Sequence, residues 1–136
     1  MAGTVVETSE QNGPVGVITL TCTADAADGS FPATALLAGI SGKIVRLVVN
    51  PGSPAPTDLY DLTLDDEDGF DVLQGLGANL LTATAEDKSV VLSGTEIHPH
   101  VTRSNTLTAT LTNNSTNSAV TVIKIYFEGR LVPEGT

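Results

Sequence analysis

Residues 105–128 read NTLTATLTNNSTNSAVTVIKIYFE. Leu107, Ala109 and Leu111 alternate with four threonines. After a polar break at 113–118, Ile123, Ile125 and Phe127 alternate with Val122, Lys124 and Tyr126. A period of two is the signature of a strand with one buried face. Two such runs flanking a turn-rich segment predict a hairpin spanning 105–128. Working outward, VGVITLTCTA at 15–24 repeats the pattern, with Ile18, Leu20 and Cys22 inward and Val17, Thr19 and Thr21 outward. Strands are also predicted over 3–9, 43–49, 58–65 and 89–93. The ATALLAGI run at 33–40 lies between Pro32 and Ser41-Gly42, too short for a stable helix, and reads as strand or loop. The expectation is an all-β chain of seven to eight strands. An antiparallel β-sandwich or small barrel, jelly-roll or Ig-like, is the natural way to bury them.

The chain has 136 residues, which suits one domain spanning 1–136. Residues 1–9 read as an N-terminal arm. Residues 129–136 read as a tail that Pro133 and Gly135 keep out of a central strand. Sixteen acidic residues against six basic ones give a formal charge of −10. That balance disfavours nucleic acid and anionic membranes as partners, because both need clustered Lys and Arg. Cys22 is the single cysteine, on an inward-facing position, and reads as an inert buried thiol. No apolar stretch approaches the ~20 residues of a membrane-spanning helix. The N-terminus has no signal-peptide pattern, so synthesis in the cytoplasm is expected.

Chemistry-bearing patterns are sparse. The turn Asp65-Asp66-Glu67-Asp68-Gly69 invites a calcium reading. Aligning Gly69 with the sixth position of an EF-hand places Leu64 at the first position and Gly75 at the twelfth, which excludes that motif. A looser oxygen site from Asp65, Glu67, Asp68 and Asp71 is the metal alternative to a solvated turn. His98 and His100, flanking Pro99, project to one side of an extended segment and form a second weak metal candidate. No nucleophile–base motif is present, so no catalytic residue and no cofactor are expected. The glycines at 75 and 77 lack the Walker lysine and read as turn residues with positive φ.

Three stretches together carry a resemblance. They are the opening MAGTVVET (1–8), the strand and linker IVRLVVNPGSPAPT (44–57), and PTDLYDLTLDDEDGFDVLQGLGAN (56–79). They resemble small β-rich virion proteins of tailed bacteriophages, encoded among head genes. The C-terminal IYFEGRLVPEGT runs past the point where such chains commonly end. The resemblance implies a virion structural protein. Its most natural form is a decoration (cement) protein, a trimer bound to the major capsid protein on the outer capsid surface. A head–tail connector or tail component is the alternative, and a carbohydrate- or host-binding module ranks last, since Tyr60 and Tyr126 are the only tyrosines and there is no Trp. The expected contact residues are Thr4, Val5 and Val6 in the arm, Val45, Leu47 and Val49 in the doubly apolar strand, and Leu131 and Val132 in the tail.

Overall fold

The computed structural model describes residues 3–35, 38–73, 77–82, 84–89, 101–104 and 107–133. The strands in chain order are β1 (Thr4–Asn12), β2 (Val15–Thr23), β3 (Thr34–Ala35), β4 (Ala38–Pro51), β5 (Asp61–Asp65), β6 (Glu86–Ser89), β7 (Val101–Ser104), β8 (Thr108–Thr112) and β9 (Val120–Pro133). Among the described residues there is no helix. One sheet runs β1-β2-β9-β4-β6, with β7 also on β4, and the other runs β3-β8-β5. Every strand pairing is antiparallel. β6 pairs with residues 46–49 of β4 and β7 with residues 40–43, so they occupy successive portions of one edge. The sandwich is therefore five strand positions against three, and not a closed barrel.

The predicted inward faces are the buried ones. Ile18, Leu20 and Cys22 of β2, with Ile123, Ile125 and Phe127 of β9, are fully buried. Tyr60, Leu62 and Leu64 meet them from the smaller sheet, with Leu107, Ala109 and Leu111, in one core cluster. Each fully buried aliphatic side chain contributes roughly 1.5–3 kcal/mol relative to exposure. With no Trp, the core depends on many medium-sized Val, Leu and Ile contacts.

The predicted hairpin 105–128 does not form. β8 pairs with β3 and β5, whereas β9 pairs with β2 and β4. The segment 113–119 crosses from one sheet to the other, a gap of about 10 Å. Asn114 shapes that crossing. Its Oδ1 accepts the N–H groups of Thr57 (2.8 Å) and Thr116 (3.1 Å), and its Nδ2 donates to the Gly29 carbonyl (2.7 Å). Alternation specifies which face is buried; it does not specify which strand lies alongside.

The two ends are also more integrated than expected. Residues 4–9 are not a free arm, because β1 pairs with β2 over its whole length and Val5 packs against the core. β9 continues to Pro133 and pairs with Ala38–Gly42, so residues 129–133 belong to a central strand. Pro133 sits at the last pair, where its missing N–H interrupts nothing. Further back, Gly129 faces Gly42 with φ of 143° and 149° respectively. A Cβ on either would collide with a carbonyl oxygen of the facing strand, Ser41 or Glu128. Only two glycines permit this close passage.

β4 carries a register shift between Ile44 and Arg46. A bulge inserts one unpaired residue and re-phases the strand. Ile44, Leu47 and Val49 all point inward and are buried, while Val45 and Val48 are half-buried. The doubly apolar look of 43–49 thus arises partly from the bulge. Leu47 and Val49 are core residues and cannot form a contact surface.

Candidate functional site

The acidic stretch 58–73 wraps along the outer edge of β5. Leu62 N–H donates to the Gly77 carbonyl (2.7 Å), Val72 N–H to Leu64 (2.8 Å) and Leu80 N–H to Tyr60 (2.7 Å). The edge of the smaller sheet is thereby covered by the chain itself, one of the ways proteins prevent unwanted strand pairing. A Cβ on Gly77 would collide with the Leu62 carbonyl oxygen, so this glycine serves close approach. Its φ is not positive, unlike that of Asn79 at 54°. Gly75 lies outside the described residues.

The carboxylates of this stretch hold main chain. Asp66 Oδ1 accepts from the N–H groups of Asp68 (2.9 Å) and Phe70 (3.0 Å). Asp71 Oδ1 accepts from Leu64 (3.0 Å) and Leu73 (3.0 Å). Asp61 accepts from the Asn79 N–H (2.8 Å) and from the Asn113 side chain. Asp65 is half-buried, and Glu67 and Asp68 are exposed. Among the described residues, no three His, Cys, Asp or Glu side chains converge to hold a metal ion. His98 and His100 lie outside the described residues.

Two buried titratable groups sit in the core. Burial pushes the Cys22 thiol up to about 12, which leaves it protonated and unreactive at neutral pH. Burial likewise pushes the Tyr60 hydroxyl up to about 12, despite its 2.8 Å hydrogen bond with Thr121 Oγ1. Thr121 is fully buried, and this bond satisfies its hydroxyl. Both groups are buried in the interior and help hold it together.

The outer face of the larger sheet carries the most varied chemistry. Arg46 makes a two-pronged ion pair with Asp87, 2.8 Å on each arm, and its guanidinium lies 4.9 Å from the centre of the Tyr126 ring. The side-chain hydrogen bond from Arg46 holds the Asp87 carboxyl below its ordinary range. Beside them a shallow groove of ≈ 420 Å³ is lined by Glu10, Asn12, Val15, Val17 and Tyr126. Val6 of β1 and Val15 at the start of β2 are exposed. The expected contact residues are thus scattered. Thr4 and Val6 are exposed, Val5 and Leu131 pack against the core, Val45 is half-buried, and the side chain of Val132 lies outside what is described. The Arg46–Asp87–Tyr126 cluster was not anticipated, because an isolated Arg in an apolar strand gives no sign of its cross-strand partners.

Comparison with protein-family models, with curated proteins and with solved structures finds no match.

Proposed function

We propose that this chain is a structural protein of a tailed-phage virion, decorating the outside of the head as a homo-oligomer bound to the major capsid protein. The observation that carries the reading is the behaviour of residues 56–79, the stretch with the most specific resemblance. Its chemistry-bearing side chains serve architecture: Tyr60 ties to Thr121, and Asp61, Asp66 and Asp71 hold main-chain or amide groups. A stretch of this kind suits a load-resisting body better than a reaction centre. The −10 charge supports an outer position, since a DNA-facing surface requires cations to offset phosphate. On this reading the chain has no catalytic role and needs no cofactor. A trimer is the assembly that the resemblance favours.

Locating the chain in an electron-microscopy map of the virion tests this directly. Copy number matching the major shell subunit, with density on the outer surface, is the expected result. A ring of six or twelve copies at the portal, or a count scaling with tail length, would replace decoration with the connector or tail alternative.

A further inference from the structure

We propose that Asn12 is a site of spontaneous deamidation, converting to aspartate and isoaspartate in the folded protein and loosening the turn that fastens β1 and β2 to β9. The inference rests on this turn alone and is independent of the virion reading.

β1 ends at Asn12, and Gly13 follows it. Deamidation requires the main-chain nitrogen after an asparagine to reach the side-chain carbonyl carbon. Glycine permits this best, because it has no Cβ to obstruct the approach and the widest choice of φ and ψ. The structure leaves the pair open. Asn12 and Gly13 are both exposed. Among the described residues, the Gly13 N–H and the Asn12 carboxamide have no hydrogen-bond partner. Chain neighbours aside, no atom lies within 4 Å of where a Gly13 Cβ would stand.

The other described asparagines are held. Asn50 precedes Pro51, which has no N–H to attack with. After Asn79, the Leu80 N–H donates to the Tyr60 carbonyl (2.7 Å), and after Asn117 the Ser118 N–H donates to Asp25 (3.2 Å). Asn113 gives its amide to Asp61. After Asn114, the Ser115 N–H donates to Thr57 Oγ1 (2.9 Å). Asn105 lies outside the described residues.

The reaction consumes only water. The Gly13 nitrogen gives its proton to solvent and attacks the Asn12 Cγ. The new N–Cγ bond closes a five-membered imide while the Cγ–Nδ2 bond breaks, and the amide nitrogen leaves as ammonia with a proton from water. Water then opens the ring at either carbonyl, giving aspartate or isoaspartate at position 12. Asn12 pairs with Val15, which holds its main chain extended. Ring closure therefore proceeds through opening of this last pair, and local opening of a strand end costs far less than global unfolding. Folding slows the reaction relative to a free peptide without abolishing it.

Both products place a carboxylate beside Glu10 in the shallow groove. Isoaspartate also inserts the side-chain methylene into the main chain. The lengthened turn is the one whose Pro14 and Gly13 carbonyls accept from Gly129 and Arg130, next to Gln11, which accepts from Leu131. Isoaspartate thus releases the end of β9.

The test ages the full-length protein at neutral and at mildly alkaline pH. Peptide mass mapping locates the conversion, and an isoaspartyl methyltransferase assay reports the linkage. Asn12 should convert before any other described asparagine, faster at the higher pH, and more slowly than in a free peptide of residues 9–17. Asn12→Gln should lose the early acidic variant. In the isolated isoaspartate fraction, amide exchange at Gly129 and Leu131 should be faster than in Asn12→Asp, which carries the charge without the inserted methylene. Another described asparagine converting first, or Asn12 intact when the peptide has fully converted, would overturn the site. Equal exchange in the isoaspartate fraction and in Asn12→Asp would overturn the loosening.

Discussion

Gln11 accepts the Leu131 N–H on its Oε1 at 3.0 Å, and its Nε2 donates to the Gly129 carbonyl at 2.8 Å. β9 runs past the end of its pairing with β2 at Glu128, so among the described residues no strand flanks 129–131 on that side. One carboxamide supplies the donor and acceptor that a strand would have provided. Gly129 N–H is met separately by the Pro14 carbonyl (2.8 Å), and Arg130 reaches Gly13 (3.3 Å). The β1–β2 turn is thus fastened to the C-terminal extension of β9.

Gln11→Ala should therefore destabilise the fold by about 1–3 kcal/mol, as expected when partly buried main-chain groups lose their partners. Gln11→Glu should recover only part of this, because it keeps an acceptor for Leu131 but sets a carboxylate against the Gly129 carbonyl. Urea midpoints of the three proteins check the order. Equal midpoints would mean that water replaces the amide at no cost.

Ile125 is fully buried, and Thr108 is half-buried on the other sheet. Ile125→Ala should cost about 2–5 kcal/mol through lost transfer energy and cavity formation. Thr108→Ala should cost far less. Melting temperatures measured side by side would show whether the assigned faces are correct.

Strand faces were legible because each was written in a period of two: Ile18-Leu20-Cys22, Leu107-Ala109-Leu111 and Ile123-Ile125-Phe127 are all buried. Pairing was not legible. Nothing local distinguishes an arch between sheets from a hairpin, and the bonds that shape 113–119 come from Thr57 and Gly29, distant in sequence. The Gln11–Leu131 contact spans 120 positions and could not be inferred from either residue alone. By contrast, the Asn12-Gly13-Pro14 turn between alternating runs was a readable hairpin signal. It indicates that 4–12 is a paired strand and not an arm. The bulge in β4 explains why 43–49 reads as apolar on two faces.

Stability should fall on the alkaline side. The Cys22 thiol is raised from 9.0, and the Tyr60 hydroxyl from 10.0, both to about 12 by burial. Between these limits the unfolded chain has released protons that the folded chain still holds. Stability then declines as pH rises. It is fully present below about 9 and lost progressively towards 12. Cys22→Ala should flatten the slope of denaturation midpoint against pH. Tyr60→Phe should flatten it too, while lowering stability at every pH because Thr121 loses its buried partner. A slope unchanged in both variants would show that other groups control the alkaline limb.

Asp71 Oδ1 accepts from Leu64 and Leu73 at 3.0 Å each, joining β5 to the loop that covers its edge. Asp71→Ala should cost about 1–3 kcal/mol, since hydrogen bonds to a charged acceptor are the stronger kind. Asp71→Asn retains an acceptor oxygen and should lose less. If this carboxylate instead served a cation, calcium would raise the melting temperature of the native protein, and both substitutions would abolish that rise. The bonds to Leu64 and Leu73 favour the structural role, so calcium should leave the melting temperature unchanged. A calcium-dependent increase, lost in Asp71→Asn, would assign the turn to metal binding.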